Sequence, residues 1–85
     1  MLKGIVISNI VSTRKQSALI GSKFLEIRLI ENGHDTDKYM IAVDSVGAGI
    51  GETVLITTGS SARLALHNTD TPVDAVVVGI VDHVG

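Results

Sequence analysis

The sequence has no cysteine or tryptophan, a single proline, and only two aromatic residues, Phe24 and Tyr39. Without cysteine, the chain has neither disulfides nor thiolate metal sites, which stabilise many folds of this size. With so few aromatics, it lacks the stacking surfaces on which single-stranded nucleic acid binding depends. Oligomerisation is the support that remains, and we expect the chain to use it.

The net charge of the chain is also small. Seven basic and nine acidic residues give a formal net charge of -2, too small to attract nucleic acid or anionic lipid. No apolar run approaches the roughly 20 residues that span a bilayer. The first residues lead into a β-branched run without the features of a secretory signal. We therefore expect a soluble cytoplasmic protein that binds neither nucleic acid nor membrane.

Apolar residues, in contrast, are abundant. They make up 45% of the chain, and the mean hydropathy is +0.40. A chain of this length forms one domain, which we place at residues 1–85. A domain this small has a large surface for its volume and cannot easily bury so much apolar area alone. We expect apolar interfaces between subunits.

The apolar pattern predicts mainly strands. β-branched residues dominate the first run, and apolar residues alternate with Glu26 and Arg28 in the second. The last run has almost no polar alternation, so we expect both of its faces to be buried. Asn32 and Gly33 predict a turn, and the polar residues 34–38 a loop tip. Strands are predicted at residues 3–13, 23–31, 39–43, 53–57 and 73–81.

One short helix is predicted after the fourth strand. Ser60 or Ser61 is expected to cap residues 62–66 with its hydroxyl, and the segment 69–72 with its proline ends the element. Five or six short strands with one helix predict a small closed or nearly closed barrel, which hides its strand edges.

The glycine-rich segment 47–51 invites comparison with phosphate-binding loops. Such loops open a helix, whereas here Glu52 and a strand-like run follow, and the glycine spacing matches neither common nucleotide motif. The glycines are better explained by unusual φ values or by close backbone packing. In a ring assembly, the segment is also suited to line the axis.

No catalytic, cofactor-binding or metal site is predicted. Ser60 and Ser61 do not lie in a nucleophile motif, and a serine hydroxyl needs a neighbouring base to be activated. The candidate bases are dispersed along the chain and have no metal-ligand spacing: His34, His67 and His83.

Arg63 is the most informative polar residue near the helix. Placed in the first turn, a cation is disfavoured by the helix dipole, so we expect a carboxylate or carbonyl partner. The candidate acids are Asp44, Glu52, Asp74 or a group on a neighbouring subunit. The sequence leaves the choice between a partner within the subunit and one in another subunit open.

Three ordered segments closely resemble the EutN/CcmL family, the vertex proteins of carboxysomes and metabolosomes. They are residues 42–55, which contain the glycine-rich segment, residues 59–63, and residues 72–82. The first strand, with Gly4 and residues 11–13, is also similar to that family. The resemblance covers nearly the whole chain, and three motifs at matching separations are far more specific than any one of them.

The resemblance implies an all-β fold, a small five-stranded OB-like β-barrel with one short α-helix, and no enzymatic activity. It implies a homopentamer shaped as a truncated pyramid with a narrow axial pore, located in the shell of a bacterial microcompartment. It also implies contact with the hexameric and trimeric proteins of the shell facets. Because the chain ends at residue 85, we do not expect contacts that longer members make through a C-terminal extension.

We expect two groups of residues to lie at the pore or at the subunit interface. They are Gly47, Ala48, Gly49, Gly51 and Glu52 in the glycine-rich segment, and Ser60, Ser61 and Arg63 at the helix. The alternative function is an OB-fold-like binding module for a small ligand or nucleic acid, because this architecture supports many functions. An enzyme would need a site assembled between subunits.

Overall fold

The computed structural model describes residues 1–11, 17–66 and 73–82. These residues contain five strands and one α-helix, and the connection between the first two strands contains a 3-10 turn at Ser17–Leu19. The elements are β1 (Leu2–Ile10), β2 (Phe24–Glu31), β3 (His34–Asp44), β4 (Thr53–Thr58), α1 (Ser60–Ala65) and β5 (Ala75–Val81).

The five strands close into a barrel in the order β1-β2-β3-β5-β4. Neighbouring strands are antiparallel, except for β3 and β5, which run parallel. The predicted fold, an all-β five-stranded barrel with one short helix, is confirmed. Closure satisfies strand edges that would otherwise be open to pairing with other chains.

The barrel is joined most weakly between β3 and β5. Only two residue pairs form this parallel ladder, Val43 with Val76 and Asp44 with Val77. Ser45 extends the contact, because both its amide and its hydroxyl donate to the carbonyl oxygen of Val77, at 3.3 and 2.6 Å. We call this short ladder the seam.

Alternate residues of each strand fill the interior of the barrel. In β2, Leu25 and Ile27 point inward and are essentially inaccessible, whereas Glu26 and Arg28 point outward. This is the period-2 pattern that the sequence predicts. The main interior core consists of Val6, Leu25, Ile27, Ala42, Ala48, Val54, Ile56, Ala75 and Val77.

A second, smaller apolar cluster lies on the outside of the barrel, under α1. Ala62 of the helix is completely buried with Val43 and Val76, the first residue pair of the seam. Phe24 of β2 and Val78 of β5 pack against the same cluster. The helix therefore covers the seam from outside.

The structure corrects the prediction of a loop tip at residues 34–38. These residues form the first half of β3 and pair with the end of β2, Glu31 with His34 and Ile30 with Asp35. Because most of this ribbon is exposed, its side chains are polar and give no strand pattern. The predicted turn at Asn32 and Gly33 is confirmed, since both have positive φ, 53° and 77°.

The helix begins differently from the prediction. Its N-cap is Gly59, with φ of 67°, and no side chain caps the helix. Ser60 and Ser61 are its first two residues, so the predicted serine cap is wrong. Some predictions fall outside the described residues: the end of the first strand at 12–13, the break at 69–72, and both His67 and His83.

Candidate functional site

The glycine-rich segment forms a loop at one end of the barrel, which we call the end loop (residues 45–52). It starts at the seam, where Ser45 is bonded to Val77. It finishes on β1, where the Gly51 amide donates to the carbonyl of Val6 at 2.8 Å and the Val6 amide donates to the carbonyl of Glu52 at 3.0 Å. The loop is therefore fixed at both ends to barrel strands.

Carboxylates from the two ends of the loop hold its backbone. Asp44 Oδ1 accepts from the amides of Val46 and Gly47, and Oδ2 accepts from that of Ala48, each at 3.0 Å. Oε1 of Glu52 accepts from the Gly49 amide at 2.6 Å. A phosphate-binding loop points such N–H groups at its ligand. Here the chain's own carboxylates occupy them.

The side chains of the end loop divide between core and surface. The methyl group of Ala48 belongs to the interior core and is 8% exposed, so it closes this end of the barrel. Val46 and Ile50 point outward and are 40% and 64% exposed. The loop therefore presents aliphatic and glycine surface to its surroundings.

The glycines of the loop serve two purposes. Gly47 and Gly51 have positive φ, 79° and 89°, which non-glycine residues adopt only at a cost. Gly49 has no positive φ, but a Cβ there would lie 3.3 Å from Glu52 Oε1. The sequence predicted unusual φ values or close packing for these glycines. The first applies to Gly47 and Gly51 and the second to Gly49.

The second predicted group lies on α1. Ser60 and Ser61 are exposed, and Arg63 is half-buried. Because the helix starts at Ser60, Arg63 lies in its last turn, where the helix dipole favours a cation. The prediction that the dipole disfavours Arg63 is therefore wrong.

Arg63 also lacks the partner that we expected within the subunit. Asp44 and Glu52 accept from the backbone of the end loop instead. Among the residues that the structure describes, no group accepts a hydrogen bond or forms an ion pair with the Arg63 guanidinium. Asp74, the third candidate within the subunit, has no described bond to Arg63 either. Of the predicted partners, only an acidic group on a neighbouring subunit remains.

No described hydrogen bond joins the two predicted groups. Phe24 connects them: it lines a cavity of about 340 Å³ together with Ala48, and it packs in the outer cluster with Ala62. This cavity lies beside the end loop and was not predicted, because its lining comes from three separate segments. The lining residues are Asn9, Ile10, Val11, Ser22, Lys23, Phe24 and Ala48.

A surface that the sequence analysis missed lies on the outside of β2 and β3. Tyr39 and Ile41 are 54% and 56% exposed. The residues that alternate with them along β3, Met40 and Ala42, pack in the interior. The signal was present, since residues 39–43 form an uninterrupted apolar run. Such a run indicates a strand covered on both faces, the same argument that we applied only to residues 73–81.

Two other features bear on function. In the described ranges, no three His, Cys, Asp or Glu side chains are grouped so that they could hold a metal ion. The same ranges contain no helix with the length and apolar character needed to cross a membrane.

Comparison with known proteins identifies the family. The family model described as "Ethanolamine utilisation protein EutN/carboxysome" matches residues 1–82. The carboxysome shell vertex protein CcmL of Gloeobacter violaceus is 45% identical over 82 residues, 95% of this chain and 82% of that protein. The bacterial microcompartment shell vertex protein EutN of Salmonella typhimurium is 41% identical over 85 residues, 99% of this chain and 86% of that protein.

Solved structures agree with the sequence match. The structure of Gloeobacter violaceus CcmL aligns with a TM-score of 0.92 and 43% identity, covering 100% of this chain and 89% of that one. The GrpN pentameric microcompartment shell protein from Rhodospirillum rubrum aligns with a TM-score of 0.88 and 41% identity, covering 100% and 98%. The matches of sequence and of structure extend over almost the entire chain, which therefore belongs to the EutN/CcmL family.

Proposed function

We propose that this chain assembles into a homopentamer that closes the five-fold vertices of a bacterial microcompartment shell, and that its role is structural rather than catalytic. The observation that carries the proposal is the nearly full-length similarity to proteins named as shell vertex proteins. A relative described as pentameric also shares the fold over the whole chain.

The surface of the single chain supports assembly. Ten large hydrophobic side chains in the described residues are at least 37% exposed. Burying these side chains between subunits would add stability that a chain of this size otherwise lacks. The exposed residues are Met1, Leu2, Val11, Ile20, Tyr39, Ile41, Val46, Ile50, Leu64 and Ile80.

We further propose that the end loop and the start of α1 lie at the pore or at the subunit interface. The small residues at 47–51 suit a position where copies of one backbone crowd around an axis. Arg63, unpaired within the described part of its own subunit, is suited to an acceptor on the next one. The partners of the ring, in this proposal, are the hexameric and trimeric proteins of the shell facets.

Native mass spectrometry of the purified chain tests the assembly. We expect one species containing five copies of the 8.9 kDa chain. A monomer, or a ring of another size, would contradict the proposal. Co-expression with facet proteins tests the vertex role, since particles seen by electron microscopy should close with the chain present and stay open without it.

Two variants test the placement of the site. Gly49→Leu introduces a side chain that must displace Glu52, and it should impair ring formation or shell closure. An unchanged pentamer with unchanged closure would show that Gly49 lies elsewhere. Arg63→Ala should weaken the ring, whereas Lys38→Ala, which removes an exposed cation paired with Glu31, should not.

A further inference from the structure

We propose that Asn32 is a site of spontaneous deamidation, and that opening of the hairpin tip around it sets the rate of this reaction. The tip consists of residues 31–34, where the Asn32-Gly33 turn joins β2 to β3. The reaction is independent of the proposed shell function, which leaves this turn without a purpose. Two features of the tip support it: the reacting groups are accessible, and the contacts that hold the tip closed are weak.

Deamidation joins the side chain of an asparagine to the main chain of the next residue. The main-chain nitrogen of Gly33 attacks Cγ of Asn32, and its proton passes through water to the leaving nitrogen. The new N–Cγ bond replaces the Cγ–Nδ2 bond, ammonia leaves, and a five-membered succinimide ring remains. Water then opens the ring. Opening at Cγ yields aspartate, and opening at the main-chain carbonyl carbon yields isoaspartate, in which the backbone passes through Cβ and Cγ.

The reacting groups at the tip are accessible. Asn32 and Gly33 are both exposed. Within the described part of the chain, the Asn32 side chain has no hydrogen-bond partner, and the Gly33 amide donates no hydrogen bond. Gly33 has no side chain to hinder attack, and a Cβ atom built there would meet no atom within 4 Å. Among the described residues, the attacking nitrogen is therefore open to its target and to water.

The conformation of the turn holds the reaction back. Asn32 has φ of 53°, in the left-handed region where ψ is also positive. In that conformation the nitrogen of the next residue points away from Cβ, so the main chain at Asn32 must rotate before the ring can close. Glu31 and His34 pair across the turn and resist this rotation. Deamidation therefore proceeds from the open form of the tip, in which this pair is broken.

The contacts that keep the tip closed are exposed ion pairs between β2 and β3. Lys38 Nζ donates to Glu31 Oε1 at 3.1 Å, directly beside the turn. Arg28 Nη2 donates to Asp35 Oδ2 at 3.2 Å. The side chains of Lys38 and Glu31 are 63% and 50% exposed, and ion pairs with this exposure contribute little to stability. The tip therefore opens readily.

Each product of the reaction changes the tip in its own way. Aspartate places a second negative charge next to Glu31. Isoaspartate adds a methylene group to the main chain of a two-residue turn. Because turn type and length fix the register of a hairpin, the pairing of Glu31 with His34 is then lost. Aged protein should accordingly carry a loosened hairpin tip.

Incubation of the folded protein in mildly alkaline buffer, followed by peptide mass spectrometry, tests the site. Asn9 is an internal control, since it is also exposed but lies within β1, paired with Leu25 and followed by the β-branched Ile10. We expect Asn32 to show the mass gain of replacing NH₂ by OH, with aspartate and isoaspartate separated by chromatography, while Asn9 stays unchanged. Equal conversion of the two asparagines would overturn the proposal. An intact Asn32 in folded protein, after a time that converts it in the urea-denatured chain, would overturn it as well.

The Lys38→Ala variant tests the restraint on the tip. It breaks the ion pair with Glu31 and leaves the turn residues unaltered, so deamidation of Asn32 should be roughly two- to fivefold faster. Lys23→Ala is the matched control and should not change the rate, because it removes the same charge at an exposed position without a described ion pair, just before β2 and away from the turn. Equal rates in the two variants would overturn the role assigned to this ion pair.

Discussion

The backbone of Gly4 lies directly against the side chain of Ile27 on the neighbouring strand. A Cβ atom at Gly4 would overlap Cγ2 of Ile27 and stand 2.7 Å from the carbonyl oxygen of Arg28. Ile27 is completely buried at this point of the interior core. The absence of a side chain at Gly4 is therefore what allows Ile27 to fill the space between β1 and β2.

Gly4→Ala should destabilise the barrel. Alanine normally stabilises a strand relative to glycine, but here its methyl group overpacks the core, and we expect a loss of about 1–3 kcal/mol in unfolding free energy. Gly79→Ala is the matched control, because its Cβ would meet Leu55 at an ordinary 3.7 Å. Denaturant unfolding at one fixed subunit concentration measures both, since the stability of an oligomer depends on concentration. Equal midpoints for the two variants would contradict this packing.

Asp44→Asn should loosen the end loop. The amide group keeps one acceptor oxygen but turns an N–H₂ donor toward backbone amides that need an acceptor. We expect a loss of about 1–3 kcal/mol in unfolding free energy, typical of unsatisfied bonds to a charged group. Asp37→Asn, at an exposed carboxylate without a described hydrogen-bond partner, should change little. If the two variants unfold alike, Asp44 does not organise the loop.

Gly51 tests the backbone conformation of the same loop. Its φ of 89° is unfavourable for residues with a Cβ, so Gly51→Ala should cost about 1–2 kcal/mol. Asparagine tolerates positive φ better, and Gly51→Asn should lose less. Space is not the cause, because no atom lies within 4 Å of the added Cβ. Thermal unfolding that ranks the two variants in the opposite order would argue against strain.

Ser60 and Ser61 should matter little to the stability of the subunit. Neither hydroxyl caps the helix, and both residues are exposed, so Ser60→Ala and Ser61→Ala should each stay within about 0.5 kcal/mol of the natural chain. A loss near 1 kcal/mol at either position, measured by denaturant unfolding, would restore the cap that the sequence suggested.

Much of the fold followed from local chemistry. Strands with one solvent-exposed face, such as β2, show alternating apolar and polar residues, and the dipeptide Asn32-Gly33 is a strong signal for a hairpin turn. The first half of β3 was missed, because neither face is buried and its backbone pairing depends on β2 rather than on its own side chains. The helix start was predicted one or two residues too late, since Gly59, with positive φ, is the N-cap where Ser60 or Ser61 was expected.

The candidate site was predictable only in part. The positive φ values of Gly47 and Gly51 could be expected from the sequence, because glycine adopts them most readily. The resemblance to the family also pointed to this segment. The Asp44 carboxylate accepts from amides only two to four residues further along the chain, but residue order alone does not show that its side chain turns toward them. The methyl of Ala48 packs among core residues that are distant along the chain, which no local pattern specifies. The burial of Arg28 Nε without a described hydrogen-bond partner is likewise a property of packing and not of residue order.

The seam between β3 and β5 has a consequence for the order of folding. A two-residue turn joins β2 and β3, so their pairing closes only a small loop. In contrast, β3 and β5 pair through only two residue pairs, and the paired residues Val43 and Val76 are far apart in the chain. Because distant contacts carry a larger entropy of loop closure, we expect the β2–β3 hairpin to form early and the seam last. In hydrogen exchange, the Ser45 amide that donates to Val77 should accordingly exchange before the amides of the β1–β2 ladder. Helix α1, whose Ala62 packs against Val43 and Val76, then stabilises this last-formed junction from outside the barrel.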